Sequence, residues 1–229
     1  MENLLQYPPS AIVDRPLPKK TFYEHLGMSA AIRRSFIDDI ASLTWLYKLA
    51  PATVNVSAGK RVDEIEVFAA ELKYDNADNS VFTFIDAAMP RYIVFLQCCN
   101  GQRRLLLNYK EPTADNARPF SILRTFSTAW TTADLRLPIV GNNLDEVWEY
   151  FAGSISGYGT ATAKATRTII SLEEQVRQKV KAVEALQNRV RRERQFNRQV
   201  ELNSKARRMK QEIASLQKQI SEIKLKTNQ

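Results

Sequence analysis

The first eighteen residues carry no hydrophobic period and are punctuated by Pro8, Pro9, Pro16 and Pro18, so 1–18 reads as an extended arm. Pro18 then opens a short helix that runs through Leu26 and stops at Gly27, with proline at the entry and glycine at the exit. Ser29 caps a second helix, in which Ile32, Phe36, Ile40, Leu43 and Leu46 recur at helical spacing to about Lys48. Pro51 forces it to end, because the residue before a proline avoids the α region. Beyond that point the period falls to two. Val62, Ile65, Val67, Ala69 and Leu72 predict a half-buried strand. A turn over Asp75 to Ser80 leads into a short helix from Ser80 to Met89, broken by Pro90. Tyr92 to Cys99 reads as a buried strand, and Asn100-Gly101 as a two-residue hairpin turn into Arg104 to Tyr109. Phe120 to Trp130 predicts a further strand, and Leu144 to Phe151 a helix capped by Asn143. Helices followed by hairpin-linked strands predict an α+β domain over 19–152 with a mainly antiparallel sheet.

Residues 153–163 hold three of the seven glycines and read as a flexible linker. From 164 to 229 neither glycine nor proline occurs, and Glu, Lys, Arg, Gln and Leu dominate, which predicts helix throughout. Two apolar seams of three-four spacing run along it, as in a coiled coil. The first is Ile169, Leu172, Val176, Val183, Leu186 and Val190, with Lys179 intruding; the second is Leu202, Ala206, Met209, Ile213, Leu216, Ile220 and Ile223. The seams are out of phase. Either the chain turns within Arg194 to Ser204 and zips the seams into a helical hairpin, or it continues as one helix of about 90 Å that dimerises or docks elsewhere. The hairpin is preferred, since it covers both seams within one chain.

Charge sharpens this division. The net charge is +8, yet 164–229 holds 17 of the 33 Lys and Arg residues against 7 of the 25 acidic ones, a surplus of ten. Residues 1–163 hold 16 basic and 18 acidic side chains. The tail is therefore expected to meet an anionic partner, either nucleic acid or an acidic protein face. Arg177, Arg191, Arg194, Arg198 and Lys205 would share one face of a continuous helix, with Arg189, Arg192, Arg207 and Arg208 nearby. Such a stripe suits phosphates; a solvated coiled-coil face with Glu–Arg pairs is the plainer reading.

The chain offers little catalytic chemistry. One histidine (His25) and two adjacent cysteines (Cys98, Cys99) cannot furnish a structural zinc site, and no glycine-rich phosphate loop occurs. No metal and no cofactor is expected. The enzymatic candidate is a metal-dependent nuclease built from Asp63, Glu71 and Lys73, an acidic-x-Lys signature on the strand after Asp63. The alternative is a charge pair on a solvent face. Asp38 and Asp39 read as exposed helix residues, His25 as a helix-end charge, and Trp45, Trp130 and Trp148 as core. With no basic, apolar leader and no span long enough for a bilayer, a cytoplasmic location without membrane contact is expected.

Four stretches carry a resemblance: LPKKTFYEHL (17–26), FIDDIASLTWLYKLAPATVNV (36–56), GNNLDEVWE (141–149) and RQFNRQVELN (194–203). Through them the chain is similar to a bacterial domain-of-unknown-function family over nearly its full length. That resemblance implies a small companion of restriction-type defence loci, working beside a helicase-like translocase and a DNA methyltransferase. It also singles out Gln195, Phe196, Asn197, Arg198, Val200, Glu201, Leu202 and Asn203. The expected partner interface comprises Gln195, Phe196, Asn197, Val200, Leu202, Asn203, Met209, Ile213, Leu216 and Ile220. The expected function is a non-catalytic accessory subunit that docks a helicase-like or methyltransferase partner, and double-stranded DNA, through its basic tail. The alternatives are the nuclease and a structural homo-oligomer, the latter dimerising through the tail.

Overall fold

A computed structural model describes residues 4–114, 119–158 and 163–227. The chain forms two units, Met1–Tyr158 and Gly159–Gln229.

The first unit is built on a six-stranded sheet in the order β1 (Ile12–Pro16), β2 (Ile40–Leu49), β3 (Ile65–Leu72), β4 (Tyr92–Cys99), β5 (Gln102–Pro112) and β6 (Phe120–Ser127). Every neighbouring pair is antiparallel except β3 and β4. A parallel pair needs a crossover, and α4 (Ser80–Ala88) supplies it; three further helices precede it, α1 (Lys19–His25), α2 (Ala30–Asp39) and α3 (Pro51–Val54). The central strands β3 and β4 are buried along nearly their whole length, which explains why their sequences read as apolar runs. On β5 the pleat sends alternate residues to opposite faces. Asn108 and Lys110 meet Asp86 of α4, while Tyr109 donates to Glu149 of α5 (Leu144–Ser156) on the other face. The α4 side holds an apolar cluster that includes Phe22, Phe36, Phe68, Phe82 and Phe95. On the α5 side the Trp148 ring packs edge-on against Tyr92 at 4.9 Å. The architecture is α+β, as the hydrophobic pattern predicts.

Three expectations need correction. The helix expected over 29–48 ends at Asp39, and residues 40–49 are strand β2. Register shifts lie between Ile40 and Ser42 and between Trp45 and Tyr47. Each bulge adds a residue to the alternation, so the buried positions Ile40, Leu43, Leu46 and Leu49 fall three apart and imitate a helix. The arm expected over 1–18 is part of the sheet from Ile12, where β1 pairs with β2 as an edge strand that tolerates Pro16. Tyr7, ahead of it, is buried and donates its hydroxyl to the Leu137 carbonyl at 2.7 Å. The linker expected over 153–163 begins too early. Helix α5 continues through Ser156 and ends at Gly157, whose φ of 73° is the left-handed cap that glycine adopts without strain. Residues 159–162 of that linker lie outside the described residues.

The second unit consists of α6 (Ala163–Arg192) and α7 (Phe196–Thr227), joined by Glu193, Arg194 and Gln195. They form a helical hairpin. Their antiparallel sense is fixed by ion pairs from Lys179 to Glu212 at 2.6 Å and from Lys224 to Glu173 at 3.1 Å. Val183, Leu186, Ala206 and Ile220 are buried, and the other seam positions of α7 (Leu202, Met209, Ile213, Leu216, Ile223) are half-buried. No described helix is long and apolar enough to cross a membrane.

Candidate nucleic-acid interface

The turn between α6 and α7 is made without glycine. The Glu193 carboxylate accepts the backbone N–H groups of Arg194 at 2.9 Å and Gln195 at 3.0 Å. The Gln199 side chain donates back to the Glu193 carbonyl at 2.6 Å. These bonds satisfy donors and an acceptor that helix ends leave open, so polar side chains do the work of a glycine cap. The Gln195 N–H bond, and after it that of Arg194, holds the Glu193 carboxyl below its ordinary range; the charges of Arg198 and Arg189 add to this.

Around this turn the arginines converge. Arg189, Arg191 and Arg192 occupy the last turn of α6, Arg194 the connection and Arg198 the first turn of α7. All five are exposed, and none lies within 4 Å of a carboxylate oxygen among the described residues. The remaining members of the expected basic stripe are placed otherwise. Arg177 is about 20 Å down α6 from the turn and pairs with Glu174. Arg208 pairs with Glu212 at 3.9 Å, and Lys205 and Arg207 are exposed on α7. The expected partner residues divide too. Leu202, Met209, Ile213, Leu216 and Ile220 lie along the seam of α7, whereas Gln195, Phe196, Asn197, Val200 and Asn203 face solvent near the tip. Phe196 is 75% exposed and Val200 48%.

The nuclease constellation does not assemble. Asp63 precedes β3 and Glu71 lies near its far end, a separation on the order of 25 Å along an extended chain. The Lys73 ammonium donates to the Ile37 carbonyl at 2.9 Å, and Glu71 shares a small cavity with Cys98 and Arg103. The Asp63 carboxylate therefore sits at the opposite end of the strand from Glu71, too far away to share a metal ion with it. Among the described residues no group of three or more His, Cys, Asp or Glu side chains is arranged to hold a metal ion.

Three of the four stretches that carry the resemblance are occupied in holding the first unit together. From the first, Lys19 donates to the carbonyls of Phe36 and Ile40, and the Phe22 ring packs on Phe36 at 5.5 Å. From the second, the Thr53 hydroxyl donates to the Lys48 carbonyl at 2.7 Å and Asn55 adopts a left-handed turn. From the third, Asn143 caps α5, and Asp145 accepts the N–H groups of Lys60, Arg61 and Val62 at 2.9, 3.1 and 2.9 Å. Glu149, also from the third, is buried and accepts from Arg61 at 2.8 Å and from Tyr109. Only the fourth, 194–203, is spent on the tip.

Residues 5–226 match the family described as "Domain of unknown function (DUF4391)". The chain belongs to that family. No curated protein and no solved structure matches it. The match spans all four stretches, including the exposed one at the tip of the hairpin.

Sequence reasoning missed Glu193 and the Asp145 clamp. A signal for the first was present, an acidic residue followed at six positions by glutamine across a change of seam phase. The second had none, since Asp145 and Lys60 are 85 residues apart.

Proposed function

We propose that the chain is a non-catalytic accessory subunit that binds double-stranded DNA through the tip of its helical hairpin. In the setting its resemblance implies, it would work beside a helicase-like or methyltransferase protein. The observation that carries this reading is the cluster of five exposed arginines with no carboxylate oxygen within 4 Å among the described residues, in a unit bearing a surplus of ten positive charges. Guanidinium groups exposed and outside ion-pair distance of the described carboxylates present donors shaped for phosphate oxygens. Phosphate contacts release counterions, so binding of the full chain to duplex DNA should weaken steeply with salt.

The test is a salt series on the intact protein and on a variant with Arg191, Arg192, Arg194 and Arg198 changed to Gln. The slope of log affinity on log salt should be about −4 for the native chain, and each lost contact should remove about 0.9. Binding indifferent to salt, or a slope unchanged in the variant, would overturn the reading.

A further inference from the structure

Phe196 is the first residue of α7, set immediately beyond the turn at the apex of the hairpin. Its position is off the seam, whose half-buried members on α7 begin at Gln199 and Leu202. Its ring has no aromatic or cationic partner among the described residues. Val200 follows one turn later on the same face and is exposed as well. With Val200, Phe196 leaves an apolar ring and side chain open to solvent at the tip. What surrounds the ring narrows the choice of partner. Arg194 and Arg198 flank it in sequence, with Arg191 and Arg192 across the turn, while the exposed amides of Gln195 and Asn197 lie on either side. A π-face next to unpaired guanidinium groups matches a nucleobase with its neighbouring phosphates, since bases stack on aromatic rings and phosphates pair with arginine.

We propose that Phe196 stacks on a single unpaired base of a DNA strand while the tip arginines hold the phosphates on either side. This rests on the DNA-binding reading above and adds the structural feature that the tip selects. One aromatic serves one base. The preferred site is therefore a bulge or junction within paired DNA, not an extended single strand, which would need a row of rings.

The experiment compares two labelled DNA hairpins by fluorescence anisotropy with the full chain. One is fully paired; the other carries a single unpaired 2-aminopurine, whose emission is quenched by stacking. The native protein should favour the bulged hairpin by about tenfold and quench its emission. Phe196→Ala should erase both the preference and the quenching and leave the salt slope unaltered, and Phe196→Trp should restore them. Because the side chain is exposed, both variants should keep the native helical signal by circular dichroism. Equal, salt-dependent binding of the two probes by the native chain would overturn the stacking role alone. Failure to bind either probe would overturn the DNA-binding reading with it. A preference that survives Phe196→Ala, or one confined to the RNA version of the bulged hairpin, would also overturn the proposal. So would tighter binding of a polyglutamate peptide than of the bulged hairpin, lost in Phe196→Ala, which would assign the tip to an acidic protein surface.

Discussion

Glu66 is a carboxylate almost wholly inside the first unit, and its surroundings make it sensitive to pH. Burial, followed by a hydrogen bond and charge repulsion from Glu64, pushes its carboxyl up to about 7 against the attraction of Arg91 and Lys48. Glu64 keeps its charge, held down by those same cations despite its own partial burial. A folded-state pKa above the unfolded one means that the folded chain retains a proton the unfolded chain has released. The resulting stabilisation is complete below about 4.5 and is lost as pH rises through about 7. Denaturant melts of the intact protein at pH 5 and pH 8 check this. The stability difference between Glu66→Gln and the native chain should shift in favour of the variant by about 2 kcal/mol at the higher pH; an unshifted difference would refute it. Asp145 behaves in the opposite sense. Desolvation raises its carboxyl, but the N–H bonds from Val62, Arg61 and Lys60 outweigh it and hold the group below its ordinary range. Gly59 lies so close to that carboxylate that a side chain there would collide with it. At Lys110 and Asp86, both fully buried and paired, the Lys110 ammonium lies over the Phe120 ring, and desolvation pushes each group toward its neutral form against their mutual attraction. Buried pairs of this kind resist the loss of one partner more than they add stability.

At the scale of elements, β2 and the helical hairpin show when a pattern of spacing can be trusted. The three-residue spacing from Ile40 to Leu49 arises from two bulges in a strand paired on both edges, so tertiary pairing overrides a helical period. In the hairpin the same spacing reports a real helix face, because the seam extends over many turns and no other strand can claim it. Leu186 is buried within that seam. Replacing it with Asp places an unpaired carboxylate among Val183, Ala206 and their neighbours, a change that costs about 3 kcal/mol or more. Leu186→Asp should therefore lower the far-ultraviolet helical signal of the full chain by a large share of what α6 and α7 contribute. A signal at the native level would show that the seam is not what holds them.

For the whole molecule, the division after Tyr158 separates two kinds of stability. The first unit has its own two-sided core, with the aromatic cluster against α4 and Trp148 with Phe151 on α5. A chain of residues 1–158 should melt cooperatively with those rings still packed, as near-ultraviolet circular dichroism would record; a non-cooperative melt would contradict it. The charge divides in the same place, with the first unit nearly neutral and the second strongly basic.

The α+β class, the Asn100-Gly101 hairpin, the Asn143 cap and the two-seam tail were all legible in the sequence, because each depends on neighbours within a few residues. So was the imbalance of charge, which is a matter of counting. Which carboxylates and cations meet was not. Asp63 and Glu71 are close in sequence and far apart on an extended strand, while Asp145 and Arg61 are distant in sequence and bonded. The exposure of Phe196 likewise depended on where the chain turns, and the turn is set by Glu193 and Gln199 bonding across it. Local propensity and periodicity decide elements; only the folded backbone brings remote side chains within the few ångströms over which hydrogen bonds and ion pairs act.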